Sequence, residues 1–127
     1  MKSITHKISI PNILRIGNGA FKDIEGIIGD EKVEEVIFIL DENMFGILHD
    51  QIKLITVSLG IDFKYVIIEP NTGVDELMNI AYSLDRKTEF LVGIGGGSII
   101  DRTKYISYLN KTPWLSVPTS PSNDGFS

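Results

Sequence analysis

Short runs of isoleucine and valine alternate along the chain with longer stretches in which apolar residues recur every three or four positions. The short runs are Ile13–Ile16, Val36–Leu40, Phe63–Ile68, Phe90–Ile94 and Trp114–Val117, with a possible leading strand at Lys7–Ile10. Several are apolar almost without interruption, which predicts strands buried on both faces, as in a parallel sheet. The stretches between them carry helical spacing. Ala20–Ile28 lines up Ile24, Ile27 and Ile28, and Asn43–Leu59 lines up Met44, Ile47, Leu48, Ile52, Ile55 and Leu59. Val74–Leu84 does the same with Val74, Leu77, Met78 and Ala81, and Ile99–Leu109 follows a glycine run. Thr72 with Asp75, and Ser98 with Asp101, have the spacing of a capping box. Strand and helix in alternation predict an α/β domain, a Rossmann-like, mostly parallel sheet flanked by helices.

Composition narrows the chemistry. The chain has 127 residues, the length of one domain, and no cysteine, which removes disulfides, thiolate metal sites and cysteine nucleophiles. Its net charge is −5 and it has no Lys/Arg run, which speaks against nucleic acid and anionic membrane as partners. No apolar stretch approaches the ~20 residues of a membrane span, and Met1–Ile10 lacks the apolar core of a signal peptide. A cytoplasmic protein is expected. His6 and His49 lie far apart and form no ligand pair, so both are expected at the surface, and Trp114 is expected in the core.

Three places hold candidate chemistry. In Gly93–Asp101 a strand ends, three glycines turn the chain and a helix begins. Such a turn lets the backbone approach a ligand closely, and the new helix offers free N–H groups and the positive end of its dipole. The run is neither GxGxxG nor a Walker loop, and a phosphate site competes with a plain tight turn. The second place is Asp41, directly after Val36–Leu40, with Gly17-Asn18-Gly19 upstream. An acid at that point holds an adenosine ribose through its hydroxyls in dinucleotide folds, or simply caps the next helix. The third is Pro118–Gly125, at the C-terminal end of a strand, where α/β sheets bind ligands. It is either the lining of a polar pocket or a solvated loop rich in turn formers. Lys104 is a surface residue or reaches back toward a bound phosphate or the Asp124 loop.

These three features, in this order, resemble the family of iron-containing alcohol dehydrogenases, glycerol dehydrogenases and dehydroquinate synthases. The matching residues are Gly95-Gly96-Gly97-Ser98-Ile99-Ile100-Asp101 and Pro118-Thr119. The run Ser116–Gly125, Ser-Val-Pro-Thr-Ser-Pro-Ser-Asn-Asp-Gly, is similar to the sn-glycerol-1-phosphate dehydrogenase branch. The resemblance implies that Gly96, Gly97, Ser98, Ile99, Ile100 and Asp101 line the pyrophosphate of NAD or NADP. It implies that Thr119, Ser120, Pro121 and Ser122 approach the nicotinamide, that Asp41 binds the ribose and favours NAD, and that Asp124 is the catalytic, substrate-side acid. The implied reaction is hydride transfer between NAD(P)H and dihydroxyacetone phosphate, giving sn-glycerol 1-phosphate for membrane phospholipid backbones. A zinc ion would polarise the carbonyl, and the resemblance places its ligands in a second, helical domain absent from this chain. Residues 1–127 are thus expected to be the nucleotide-binding domain of a homo-oligomeric enzyme, cut just after its most informative loop and inactive alone. The alternatives are a glycerol dehydrogenase acting on the free polyol and a non-catalytic nucleotide-binding module.

Overall fold

The computed structural model describes residues 5–7, 24–26, 28–29, 33–84 and 90–119. Among the described residues five parallel strands form one sheet: β1 (Thr5–Lys7), β2 (Glu35–Leu40), β3 (Asp62–Ile67), β4 (Phe90–Gly95) and β5 (Trp114–Pro118), in the order β1-β5-β4-β2-β3. Three helices connect them: α1 (Glu42–Leu59), α2 (Val74–Ser83) and α3 (Gly97–Asn110). Residues 24–26 and 28–29 are also helical.

The continuous apolar runs sit where burial on both faces requires them. β2, β4 and β5 are central, and nearly every residue in them is buried. Alternate side chains feed two cores. Val36, Phe38, Leu40, Val92, Ile94, Leu115 and Val117 pack with Ile24, Ile28 and the inner stripe of α1. Ile37, Ile39, Leu91 and Trp114 pack on the opposite face with Leu77 and Ala81 of α2 and Ile99 and Ile106 of α3. β3 lies at the edge, and Asp62 and Lys64 are exposed there, charges that discourage pairing with another chain.

The chain runs from β2 over one face to β3, then back over the other face past β2 to β4, and onward to β5. The direction of winding therefore reverses between β2 and β4. At such a switch point the connecting segments diverge and leave a crevice at the carboxyl ends of the strands.

Several sequence expectations need correction. The leading strand includes Thr5–Lys7, with Thr5 opposite Trp114 and Lys7 opposite Ser116, while residues 8–10 of the expected strand Lys7–Ile10 lie outside the described residues. Ile47 is 38% exposed and Val74 58% exposed, so neither belongs to its helix's inner stripe. Val74 is the first residue of α2, where the stripe has yet to reach the sheet. Neither capping box forms. Gly73 and Gly96 are the N-caps of α2 and α3, and neither makes a side-chain cap bond. α2 begins one residue later and α3 two residues earlier than the spacing suggests, which releases the Thr72 and Ser98 hydroxyls for other partners. The strand Ile13–Ile16, Gly17 and Gly19 lie outside the described residues, as do residues 20–23 of the first helix.

Candidate cofactor site

β4 ends at the glycine turn. Gly95 has φ +155°, and a Cβ added there would stand 2.9 Å from Cβ of Ile99. Two residues earlier, a Cβ on Gly93 would stand 2.7 Å from Cβ of Thr103. Glycine is thus required at both positions for α3 to lie close against β4. Gly96 and Gly97 differ, since a Cβ on either would meet nothing within 4 Å among the described residues. Their backbone faces open space at the mouth of the crevice.

The first intrahelical bond of α3 runs from the Ile100 N–H to the Gly96 carbonyl at 3.0 Å. The N–H groups of Gly97, Ser98 and Ile99 precede it and point out of the helix. No acidic residue occupies the first turn, unlike α1 with Glu42 and α2 with Asp75 and Glu76. A helix start whose first donors have no partner among the described residues, no side-chain cap and no acid of its own fits an external anion. Of the expected pyrophosphate residues, Gly97, Ser98 and Ile99 present main-chain donors and Gly96 leaves room. The Ile100 N–H is spent within the helix, the Ile99 side chain is buried, and Asp101 and Lys104 are exposed.

Asp41 stands at the matching point of the neighbouring strand. Ile39 pairs with Gly93, so Asp41 and Gly95 each lie two residues beyond that pair at the same sheet edge. Oδ1 of Asp41 accepts from the Met44 N–H at 2.8 Å and caps α1. The capping role is therefore real, and it places the carboxylate at the crevice.

Thr119 joins the same edge. Its N–H donates to the Gly95 carbonyl at 2.9 Å, extending the pairing of Gly95 with Pro118. The loop that follows β5 thus starts beside the glycine turn. Ser120, Pro121, Ser122 and Asp124 lie outside the described residues.

One part of the site has no counterpart in the sequence reading. The Ser98 hydroxyl donates to the Pro70 carbonyl at 2.5 Å. Arg102 Nη1 donates to Ser98 Oγ at 2.6 Å and to the Ser98 carbonyl at 3.2 Å, while Nε donates to the Thr72 carbonyl at 2.9 Å. The Thr72 hydroxyl accepts from the Glu69 N–H at 2.8 Å and closes the loop on itself. The only sequence signal was an arginine four residues after Ser98, which is ordinary on a helix face.

Among the described residues no group of three or more His, Asp or Glu side chains is arranged to hold a metal ion. His49 is exposed, stacks on Phe45 and pairs with Asp50, far in sequence from the glycine turn. Trp114 is buried, as expected. No helix among the described residues is long and apolar enough to cross a membrane.

The fold has counterparts among solved structures. Over 93% of its length the chain superimposes on 28% of a glycerol dehydrogenase from Schizosaccharomyces pombe, with a TM-score of 0.71 and 18% identity. It also superimposes on an NADH-dependent butanol dehydrogenase from Thermotoga maritima, with a TM-score of 0.60 and 23% identity, over 86% of this chain and 27% of that one. At those identities the likeness concerns the fold. In sequence the chain is 36% identical over 118 residues to a glycerol-1-phosphate dehydrogenase [NAD(P)+] from Picrophilus torridus, covering 91% of this chain and 33% of that protein. It is 31% identical over 122 residues to the enzyme of the same name from Metallosphaera sedula, covering 94% and 34%. The chain therefore spans about a third of the length of these curated relatives. The family profile described as iron-containing alcohol dehydrogenase matches residues 15–127, and it is to this family that the chain belongs.

Proposed function

We propose that residues 1–127 form the cofactor-binding part of an NAD(P)-dependent glycerol-1-phosphate dehydrogenase, acting in the cytoplasm as a homo-oligomer in phospholipid backbone synthesis. The observation that carries the reading is the crevice between β2 and β4, where the uncapped start of α3 and the Asp41 carboxylate meet at one sheet edge. The choice of substrate rests on the names of the relatives and on the run Ser116–Gly125.

In this reading the N–H groups of Gly97, Ser98 and Ile99 hold the pyrophosphate, with Gly96 leaving it room and Asp101 at the rim. Asp41 uses the oxygen not committed to capping to accept from a ribose hydroxyl, and its charge disfavours a 2′-phosphate. Thr119, Ser120, Pro121 and Ser122 orient the nicotinamide. Asp124 faces the substrate and passes the proton that must accompany hydride transfer, a role worth ~10²–10⁴-fold in rate. The bound groups supply the remaining chemistry, the hydride of the nicotinamide and polarisation of the carbonyl by a metal ion, zinc in this reading, held outside residues 1–127.

The test is a substrate comparison on the full-length enzyme. Oxidation of NADH by dihydroxyacetone phosphate, with sn-glycerol 1-phosphate as product, is the expected result. A kcat/KM for glycerol and NAD that exceeds the one for glycerol 1-phosphate and NAD would replace this reading with a glycerol dehydrogenase.

A further inference from the structure

The bonds between Ser98, Arg102 and the loop after β3 join two elements that the sheet keeps apart. α3 follows β4, and the Pro70–Thr72 loop follows β3, with β2 between the two strands. Asp41 stands at the end of that intervening strand. The Ser98–Pro70 bond and the Arg102–Thr72 bond therefore span the mouth of the crevice, at the first turn of α3.

We infer that Arg102 is a positioning residue of the cofactor site, holding the β3–α2 loop and the start of α3 in one fixed relation through Ser98 and Thr72. The inference rests on the cofactor reading given above. Its physical content begins with a proton count. Ser98 has one hydroxyl proton, and that proton goes to the Pro70 carbonyl. One of its lone pairs is taken by Arg102 Nη1. The Ser98 side chain is thus committed to the protein, and Ser98 meets an anion through its main-chain N–H alone.

Arg102 itself is placed against the local field. A cation near a helix N-terminus opposes the dipole. Its guanidinium is held there by three acceptors, the carbonyls of Thr72 and Ser98 and the Ser98 hydroxyl. The planar fork serves two segments at once through Nε and Nη1, a geometry that a lysine ammonium does not reproduce. The far end of the same helix pair is fastened too, by Asn110 Nδ2 donating to the Ala81 carbonyl at 2.9 Å. With both ends tied, the donors of the first turn of α3 are set before a ligand arrives, which spares the ordering cost of binding.

The test uses the full-length protein and five variants, read by cofactor affinity, kcat at saturating cofactor, and melting temperature. Arg102→Ala is expected to weaken NAD(H) binding and raise its KM by about tenfold or more, with kcat changed much less. Arg102→Lys is expected to behave like Arg102→Ala. Restoration of affinity by lysine would mean that Arg102 acts as a bare charge on the phosphates and would overturn the inference. Ser98→Ala keeps the N–H and removes the bridge, so combined with Arg102→Ala it should add little to the single loss. Additive losses would make the Ser98 hydroxyl an independent phosphate donor, also against the inference. A lowered melting temperature with unchanged affinity at low temperature would reduce Arg102 to a structural brace. Gly96→Val separates the two levels. If it leaves affinity unchanged, the cofactor reading fails and this inference with it; if it abolishes binding while the Arg102 variants bind normally, only this inference fails.

Discussion

Gly93, Gly95 and Gly96 sit on one strand–helix turn and answer to different neighbours. A side chain on Gly93 meets Thr103, and one on Gly95 meets Ile99 in a backbone conformation that L residues rarely adopt. Gly93→Ala is therefore expected to cost roughly 1–3 kcal/mol by overpacking, read as a lower urea midpoint. Gly96 has an ordinary extended backbone, with φ −74° and ψ 179°, and open space beside it. Gly96→Val should leave the urea midpoint nearly unchanged and strongly weaken NAD(H) binding by calorimetry, because the new side chain meets no described residue and, in the proposed reading, intrudes on the pyrophosphate. Asp41 permits a similar separation. Asn is as good an N-cap as Asp, so Asp41→Asn should keep stability within about 0.5 kcal/mol while removing the charge. The expected outcome is a higher kcat/KM for NADPH relative to NADH in the full-length enzyme. An unmoved ratio would leave Asp41 as a cap alone.

Among the elements, α1 has the clearest division of labour. Met44, Leu48, Ile52 and Ile55 are buried against β2, β4 and β5, while Ile47 on the same helix is half outside. Ile52→Ala is expected to cost about 2–5 kcal/mol, and Ile47→Ala well under that, in parallel denaturation curves. The outer flank of α1 meets the edge strand through aromatic rings. Phe45 stands edge-on to Tyr65, and the Tyr65 hydroxyl donates to the His49 carbonyl at 3.3 Å. Burial first, and the charge of Asp50 second, push the Tyr65 hydroxyl above its ordinary value of 10.0. The folded chain thus holds this proton longer than the unfolded chain. The contribution is fully present below the ordinary tyrosine value and is lost as pH rises through the raised one. Tyr65→Phe should flatten the fall in stability between about pH 9 and 11, measured as the shift in urea midpoint.

For the whole molecule, the winding reversal between β2 and β4 brings the segments of the candidate site to one edge of the sheet. Asp41, the glycine turn, Thr119 and the Pro70–Thr72 loop come from four separate segments and meet only because parallel strands all end on one edge. If the metal ligands lie outside residues 1–127, stripping the metal from the full-length enzyme should abolish turnover. NAD(H) affinity, measured by fluorescence titration, should stay within about twofold, since in the proposed reading the pyrophosphate is held by main-chain donors of α3. A parallel loss of cofactor affinity would place the metal within this part of the chain.

The α/β class, four of the five strands and the three helices between them were legible along the chain, because burial on both faces writes an unbroken apolar run and burial on one face writes a helical stripe. The glycine turn was legible for the same kind of reason, since close approach of two backbones leaves glycine as the residue that fits. Helix starts were not. Thr72 and Ser98 look like caps in isolation, and whether a hydroxyl caps its own helix or bonds another loop depends on which carbonyl the fold brings within reach. Arg102 was silent for the same cause: two of its acceptors are on Ser98, one turn back on its own helix, but the third is the carbonyl of Thr72, 30 residues away in sequence. Local patterns determine which segments become strand or helix and where the chain turns; only the packed sheet decides which ends meet, because hydrogen bonds between distant segments leave no periodicity in the chain that forms them.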